Sequence, residues 1–283
     1  MVNKLGLPPT GHPPWKLVIP ATIVVAGMLI PVTYLIIRTI GIGSETFELL
    51  WRQRTLEIIM NSILLMLAVS CASVLIAVPI GWLTTKTDLP LRRLFSVATV
   101  LPLVIPSYVG GFVLVIALGP KGILQGWLSH IGIERLPEIY GFPGAMLTLT
   151  LLTYPYVLLP VRSALQRLDP SLNEASRALG KGSCETFIRI TLPMLRPSIA
   201  AGIILVALYT ISDFGAVSLL HYETFTWAIY IQYGNFARDM AASLSLVLVA
   251  VAVSLLIAET KTRGKARYYG NAPGLPHPHK LIS

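Results

Sequence analysis

Six apolar runs, each close to the length that a helix needs to cross a membrane, constrain this chain more than any other feature. Such a helix takes roughly 20 apolar residues. Only 12% of the residues are charged, whereas soluble globular chains carry about 25%. The runs are residues 17–37, 58–83, 94–118, 142–161, 198–220 and 241–258. Because a chain in lipid must satisfy its backbone hydrogen bonds internally, we predict an all-α polytopic membrane protein with six transmembrane helices.

The first run has a cleaved signal peptide as its alternative interpretation. It is longer than the usual apolar region of about 7–15 residues, and no clear small-residue cleavage site follows it. We therefore predict that residues 17–37 remain in the protein as its first membrane span.

The distribution of lysine and arginine predicts which way the spans run, because positive charges are retained on the cytoplasmic side. If the N-terminus is inside, 16 of the 22 lysines and arginines fall on that side and six fall outside. We expect both termini to be cytoplasmic, with a lead over residues 1–16, a six-helix domain over 17–258, and a basic tail or linker over 259–283. The net charge of +9 then reflects topology and contact with a lipid membrane, and no nucleic-acid partner is expected.

The longest polar interruption, residues 169–197, lies between the fourth and fifth runs and predicts two short helices. Asp169 or Ser171 can cap the first helix. Ser171-x-x-Glu174 matches a capping box, and Gly180 is placed to end the helix as its C′ residue. The loop therefore starts with a stiff helix, on the side that charge predicts to be cytoplasmic.

The second short helix can start at Ser183 and should end before Pro193, because proline disfavours the α region for the residue before it. On the first helix, three apolar side chains share one face: Leu172, Ala175 and Leu179. Such a face can enter a groove on a partner as a helix-in-groove anchor. We predict that the loop docks on another protein.

The third run is the most irregular, with two prolines and two glycines within ten residues. The prolines remove backbone donors that lipid cannot replace, so this backbone should be buried in protein or line a cavity. A kinked helix that merely packs against its neighbours is the alternative. On the first interpretation, a translocation pathway or gate includes Pro102, Pro106 and Gly110.

Asp213 lies in the fifth run, where a carboxylate costs on the order of 2.5–3.5 kcal/mol on insertion scales. It should therefore face the bundle interior or a wet cavity, as a residue of a pathway or gate. Two structural alternatives stay open, namely a hydrogen bond to Thr210 or Ser212, or a position nearer the outer interface.

Two external connections have the composition of helices that lie along a membrane surface. Residues 45–57 mix charged side chains with Phe47 and Trp51, and residues 119–141 contain an apolar stripe at helical spacing. We expect a short interfacial helix in each connection.

No catalytic or metal-binding constellation is present in the sequence. Residues 179–183 resemble a phosphate-binding loop, but Ala175 occupies the position of its first glycine and Gly182 follows the lysine. His277 and His279 can hold a metal only weakly, since two ligands make a poor site. We predict a chain that is not an enzyme, that binds no metal or cofactor itself, and that depends on another subunit for any ATP hydrolysis.

The 169–197 loop also carries a signature that resembles the cytoplasmic motif of ABC importer permeases. It reads Glu174-Ala175-Ser176, three residues, Gly180, nine residues, and Ile190-Thr191-Leu192-Pro193. Ser176 stands where that motif has a second alanine, a change between small residues that should matter little. The six spans, in the same order, extend the resemblance over the chain after about residue 50.

This resemblance implies the type I ABC importer permease fold, with the loop docked on a dimer of ABC ATPase subunits that use ATP. The implied coupling residues are Leu172, Glu174, Ala175, Ser176, Leu179, Gly180, Ile190, Leu192 and Pro193. A periplasmic or lipoprotein substrate-binding protein, a second permease half and a bacterial inner (plasma) membrane are implied as well.

Residues 212–217 and the tail RGKARYYG look more narrowly like the N-terminal half of ferric-iron-type permeases. That likeness implies ferric iron as the substrate, with thiamine, polyamine, sulfate and molybdate as alternatives because their permeases share the architecture. Ferric-iron-type permeases are commonly one chain with two copies of the signature, whereas this sequence has one. A half of a longer chain, a split half and a self-pairing subunit all stay open.

Two other classes of membrane protein, secondary transporters and purely structural proteins, would show different sequence features. A secondary transporter driven by an ion gradient normally shows a coupling carboxylate with partners and internal repeats, whereas here one intramembrane acid and no repeat are found. A purely structural membrane protein has no need of a stiff, capped helix pair between spans four and five. We therefore expect an importer permease that works by alternating access.

Overall fold

The computed structural model describes residues 15–41, 52–132, 137–169, 171, 176, 178 and 180–265. Within these residues the regular structure is helical, and no β-strand occurs among them. The α-helices in chain order are α1 (Trp15–Gly41), α2 (Gln53–Lys86), α3 (Arg92–Ala98), α4 (Ser107–Leu118), α5 (Ile123–Ser129), α6 (Phe142–Arg167), α7 (Ser183–Thr186), α8 (Leu192–Ser212), α9 (Gly215–Leu219), α10 (Phe225–Gly234) and α11 (Arg238–Lys265). A 3-10 helix (Leu101–Val104) lies between α3 and α4, and a π-helical turn (Phe187–Thr191) joins α7 to α8.

Six helical stretches of the described chain are long and apolar enough to cross a membrane. They are Val18–Gly41, Gln53–Lys86, Ser107–Ser129, Phe142–Arg167, Cys184–Ser212 and Arg238–Ala258. The predicted all-α fold with six transmembrane helices is therefore confirmed. The bounds differ from the prediction mainly in two spans. The third candidate span is Ser107–Ser129 instead of 94–118, and the fifth is Cys184–Ser212 instead of 198–220.

The described residues form two compact units. The first draws on the described residues within 1–65, 111–145 and 211–251, and the second on those within 66–110, 146–210 and 252–283. The boundaries fall within helices α2, α4, α6, α8 and α11, so each of these helices contributes residues to both units.

In the first unit, an apolar cluster forms between α2, α10 and α11. Its buried members are Ile58, Phe225, Ala228 and Leu244. The backbone N–H of Phe225 donates to Ser62 Oγ at 3.1 Å, which fixes the start of α10 against α2. At the end of α1, Arg38 pairs with Asp239 at the start of α11, with 2.7 Å between Nε and Oδ1.

In the second unit, small and hydroxylated residues let α2, α6 and α8 approach closely. A Cβ atom on Gly202 of α8 would lie 2.6 Å from Cα of Val157 on α6, so the two backbones are in contact there. The hydroxyls of Ser73 on α2 and Thr153 on α6 lie 3.4 Å apart. These are the contacts that membrane helices use in place of a hydrophobic driving force.

The third predicted span is divided into α3, the 3-10 helix and α4. Pro102 lies in the 3-10 helix, and Pro106 comes directly before α4. A single kinked helix therefore does not describe this span. The side chain of Val104 is 80% exposed in this chain alone, so the described part of the chain leaves the break open to its surroundings.

The end of α3 is held by two side chains of α6. Arg162 Nη1 donates to the carbonyl of Ser96 at 2.9 Å, and the hydroxyl of Tyr154 donates to the carbonyl of Thr99 at 2.8 Å. A helix end leaves its last carbonyls without intrahelical partners. These two bonds satisfy such carbonyls and fix the position of the break against α6.

The prediction that the second loop helix ends before Pro193 is wrong. The helix runs without interruption from Ser183 through the π turn to Ser212. In the π turn the N–H of Leu192 donates to the carbonyl of Phe187, a wider turn than that of an α-helix. Pro193 follows this turn directly, and the wider turn accommodates its missing N–H, so that the helix continues.

The fifth span also ends earlier than predicted. Helix α8 stops at Ser212 instead of continuing to residue 220, and α9 begins at Gly215. Asp213 and Phe214 separate the two helices.

The helix predicted in the external segment 119–141 is present as α5. Its apolar stripe is exposed, with Trp127 73% exposed, whereas Gln125 is buried. An exposed apolar stripe is typical of a helix that lies in a membrane interface.

Several predictions concern residues outside those that the structure describes. They are most of the 1–16 lead, the segment near Phe47 and Trp51, the tail with His277 and His279, and the loop residues Leu172, Glu174, Ala175 and Leu179.

Candidate functional site

The candidate site is the segment from Asp169 to Pro193, and its first helix is capped by Asp169. The backbone N–H of Ser171 donates to Asp169 Oδ1 at 2.9 Å, which is the bond expected of an N-cap aspartate. That N–H, together with the Ser171 hydroxyl, holds the pKa of the Asp169 carboxyl below its ordinary value. Of the two caps that the sequence offers, the described residues therefore use Asp169.

Gly180 ends the first helix in the way predicted for a C′ residue. Its φ angle is +75°, in the left-handed region that favours glycine. The N–H of Lys181 donates to the carbonyl of Ser176 at 3.2 Å. This is the 6→1 bond of a Schellman motif, and it satisfies one of the last carbonyls of the helix.

Ser176 and Thr186 connect the two short helices. Their hydroxyl oxygens lie 2.7 Å apart, and the side chains are 2% and 5% exposed. Because the Thr186 hydroxyl donates to the carbonyl of Gly182 at 3.0 Å, the Ser176 hydroxyl is the donor between the two. The serine at the position of the second alanine of the signature thus makes a contact that alanine cannot make.

Glu185 lies on the exposed side of α7 and pairs with one cation on each side of it. Its Oε1 is 3.9 Å from Lys181 Nζ and 3.3 Å from Arg189 Nε. Surface pairs at this spacing contribute only about 0.3–0.5 kcal/mol each. They favour the helical conformation that begins at Ser183 without fixing it.

The second half of the signature lies on the π turn and the start of α8. Ile190, Leu192 and Pro193 are half-buried there. In the same turn, the ring of Phe187 packs edge-on against Trp82 near the end of α2, with 5.7 Å between centroids. The loop is therefore anchored to a second membrane helix by an aromatic contact.

The candidate pathway residues lie in different units. Pro102, Pro106 and Gly110 belong to the second unit, and Asp213 belongs to the first. A Cβ atom on Gly110 would lie 2.7 Å from Leu152 Cδ1, so this glycine lets α4 pack closely on α6. Pro102 is half-buried and Pro106 is exposed.

Asp213 is 7% exposed and lies at the break between α8 and α9. Its Oδ1 accepts a hydrogen bond from the backbone N–H of Ala216 at 2.9 Å, and its carbonyl accepts one from the Thr226 hydroxyl at 2.5 Å. The carboxylate thus caps α9. It lies directly beyond the end of α8, at Ser212.

Three residues of this site, Thr186, Phe187 and Trp82, were not predicted from the sequence. Thr186 lies ten residues from its partner across a turn, and Phe187 meets Trp82 across more than 100 residues. No local pattern signals such pairs.

Six apolar helices, with a helix pair directly before the fifth, define a multi-pass membrane protein. Residues 77–259 match the family model described as "Binding-protein-dependent transport system inner membrane component". The chain belongs to this family. Its members are transport components, which agrees with the prediction that this chain is not itself an enzyme.

Curated relatives with different substrates in their names are similar to this chain. It is 34% identical over 270 residues to the Fe(3+)-transport system permease protein FbpB 2 of Haemophilus influenzae, covering 95% of this chain and 50% of that protein. It is 32% identical over 222 residues to the molybdenum transport system permease protein ModB of Escherichia coli, covering 72% of this chain and 93% of that one. The chain thus spans about half the length of FbpB 2.

Solved structures share the fold. A chain of a bacterial alginate ABC transporter, in complex with an alginate pentasaccharide-bound periplasmic protein, superimposes with a TM-score of 0.70 at 17% identity, covering 88% of this chain and 92% of that one. A chain of the MetNI methionine ABC transporter in an inward-facing conformation gives 0.55 at 17% identity, covering 73% and 93%. These neighbours support the ABC importer permease fold.

Proposed function

We propose that this chain forms one half of the translocation pathway of an ATP-binding-cassette importer and couples it to a separate ATPase subunit. The observation that carries the proposal is the Ser176–Thr186 bond within a capped helix pair. It ties Ser176 of the signature to the helix that begins at Ser183. The ATPase uses ATP, and this chain needs no cofactor of its own.

The helix pair is suited to transmit a displacement. Its second helix continues from Ser183 to Ser212 as one helical stretch, so a push on the loop acts directly on the fifth span. Among the described residues before it, the Asp169–Ser171 bond caps one end of the segment and the positive φ angle of Gly180 closes the other. Closure of an ATPase dimer would move such an element as a rigid body, which is how hinge and shear transitions propagate.

We place the pathway or gate at the break of the third span and at Asp213. The break in the helix at Pro102 and Pro106, with Val104 and Pro106 exposed, calls for a protein or aqueous neighbour in a membrane, and a second permease half would supply it. Gly110 permits the close packing of α4 on α6 beside this break. Asp213 contributes a buried carboxylate at a helix break, the kind of position that transporters use near substrate.

For the substrate we propose ferric iron. The similarity to FbpB 2 extends over 95% of this chain, whereas the similarity to ModB extends over 72%. Molybdate is the second candidate, since ModB matches over 93% of its own length. Sulfate, thiamine and polyamine follow as further alternatives.

The remaining partners follow from the same proposal. The chain works in a bacterial inner membrane with both termini cytoplasmic, beside a dimer of ABC ATPase subunits and a second permease half. A periplasmic or lipoprotein substrate-binding protein delivers the substrate. The family description names both a binding protein and the inner membrane.

Co-purification tests the docking proposal. The tagged chain is expressed with the other subunits of its transport system, and the purified sample is assayed for ATP hydrolysis. Replacement of residues 170–181 by a Gly/Ser linker of equal length should abolish recovery of the ATPase. Replacement of residues 123–129 of α5, which carry an exposed stripe outside the loop, is the control and should leave recovery intact. Recovery that is unaffected by the loop replacement would contradict docking through this segment.

Uptake measurements test the substrate proposal separately. Cells that lack their own ferric-iron and molybdate importers receive the complete system, and uptake of labelled ferric iron and labelled molybdate is compared. We expect iron uptake that depends on this chain. Uptake of molybdate without iron would overturn the iron assignment and leave the docking proposal standing.

A further inference from the structure

A cavity of about 480 Å³ lies in the second unit, between the end of α2, helix α3 and the end of α6. It is lined by three arginines, Arg92, Arg93 and Arg162, together with Thr84, Ser96 and Gln166. Three cations around one cavity repel each other unless an anion lies between them. The question is which anion fits.

Two of the three arginines are held in place by the protein itself. Arg92 donates from Nε to the carbonyl of Thr84 at 2.6 Å and from Nη2 to the carbonyl of Thr85 at 2.9 Å. Arg162 donates to the carbonyl of Ser96, and its Nη2 donates to Thr99 Oγ1 at 3.0 Å. These guanidinium groups are preorganised, so an anion that binds them pays less for ordering side chains.

The positive charge of the cavity has no internal counterion. None of the described residues that line it carries a carboxylate, and Asp88, the acid nearest in sequence to Arg92, is not among them. Within the described part of the chain Arg93 makes no ion pair or hydrogen bond, and Arg162 Nε is buried without a partner. The cavity therefore offers donors and charge that the described residues leave unused.

The position of the cavity matches the depth of a lipid headgroup. Its lining includes residues at the ends of two membrane-spanning helices, Thr84 near the end of α2 and Gln166 near the end of α6. Beside it, α3 exposes large apolar side chains, with Leu94 62% and Val97 63% exposed. Charged donors at a helix end next to exposed apolar side chains are complementary to a phosphate that carries acyl chains.

We propose that this cavity is a binding site for the phosphate headgroup of an anionic phospholipid, with the acyl chains lying against α3. Basic pockets between membrane helices are known to bind such headgroups. The bound phosphate would bridge α2, α3 and α6, just before α6 leads into Asp169 and the loop. The inference does not rest on the proposed transport function, because the site is complete within this unit.

Lipid binding to the purified full-length chain in detergent tests the proposal. Phosphatidylglycerol is titrated and its binding is followed by native mass spectrometry, with phosphatidylcholine and inorganic phosphate as comparison probes. We expect phosphatidylglycerol to bind and the other two not to bind at the same concentrations. Equal binding of phosphatidylcholine, or equal occupation by inorganic phosphate, would overturn the assignment to an anionic lipid.

The variant Arg93→Gln tests the site without disturbing the fold, because Arg93 makes no hydrogen bond or ion pair with the described residues. Loss of one basic residue near a headgroup should weaken phosphatidylglycerol binding about fivefold. Arg196→Gln removes an equal charge from an exposed arginine outside the cavity and should leave binding unchanged. Equal weakening by both variants would show bulk charge attraction instead of a site. An acidic protein segment that co-purifies with the chain, and is lost on Arg93→Gln, would also contradict the proposal.

Discussion

The hydroxyl of Ser176 donates to the hydroxyl of Thr186 across the turn that separates the two short helices, with 2.7 Å between the oxygens. Both side chains are almost fully buried. Because the Thr186 hydroxyl in turn donates to the carbonyl of Gly182, three backbone segments of the loop are joined by one chain of hydrogen bonds. Such chains strengthen each member and make the geometry specific.

Removing the hydroxyl of Thr186 should destabilise the protein more than removing the hydroxyl of Ser176. Thr186→Val leaves the Ser176 hydroxyl buried without an acceptor, which costs about 1–3 kcal/mol, whereas Ser176→Ala leaves Thr186 still bonded to Gly182 and costs about 0.5–1.5 kcal/mol. Thermal unfolding of the purified variants measures the difference. If Ser176→Ala destabilises more than Thr186→Val, the donor assignment is wrong. The double variant, through a double-mutant cycle, gives the coupling energy.

Gly180 and Gly182 form a matched pair for testing the C-cap. A Cβ atom meets nothing within 4 Å at either position, but only Gly180 has a positive φ angle. Gly180→Ala should therefore cost about 1–2 kcal/mol through backbone strain alone, and Gly182→Ala should be neutral or slightly stabilising. Unfolding midpoints of the two variants check this. Equal midpoints would mean that the Schellman geometry does not form in the native chain.

Close packing of α8 on α6 depends on Gly202. A Cβ atom there would lie 2.6 Å from Cα of Val157 and 3.1 Å from the carbonyl oxygen of Tyr156, so Gly202→Ala must push the helices apart. Overpacking of this kind costs about 1–3 kcal/mol. Gly126→Ala on α5, where nothing lies within 4 Å, is the control. A lowered midpoint for Gly202→Ala alone is the expected outcome, and unchanged midpoints for both would refute the close contact.

Asp213 combines a capping role with the proposed pathway role, and two substitutions separate them. Asp213→Asn keeps an acceptor for the Ala216 N–H and should retain stability, whereas Asp213→Ala should lose about 0.5–2 kcal/mol. We expect Asp213→Asn to slow uptake all the same, because it removes the charge from the pathway. Normal uptake by Asp213→Asn would reduce Asp213 to a helix cap.

The parts of the fold that lipid and local backbone chemistry dictate were predictable from sequence. The third predicted run ends at Leu118 and the fourth begins at Phe142, where helices α4 and α6 end and begin. The Asp169 cap and the Gly180 turn are likewise local, since each involves residues at most five positions apart. Chemistry of this kind acts within one turn of the chain.

The remaining features depend on partners that are distant in sequence or on a choice between similar energies. Proline predicted a helix end before Pro193, but a π turn accommodates the missing donor and lets the helix continue. The bond from Arg162 to Ser96 joins residues 66 positions apart, and no periodicity signals it. The sequence could not show whether Asp213 lies within α8 or beyond it, because the helix ends at Ser212, only one residue earlier.

Uptake by vesicles that hold the complete transport complex tests the central claim most directly. Gly180→Pro imposes a φ angle near −65° where the structure has +75°, so it alters the helix pair without touching the membrane spans. The variant chain should insert and assemble as the unaltered chain does, while uptake that depends on ATP and on the binding protein is lost. Near-normal uptake by an assembled Gly180→Pro complex would contradict the claim that this loop couples ATP hydrolysis to transport.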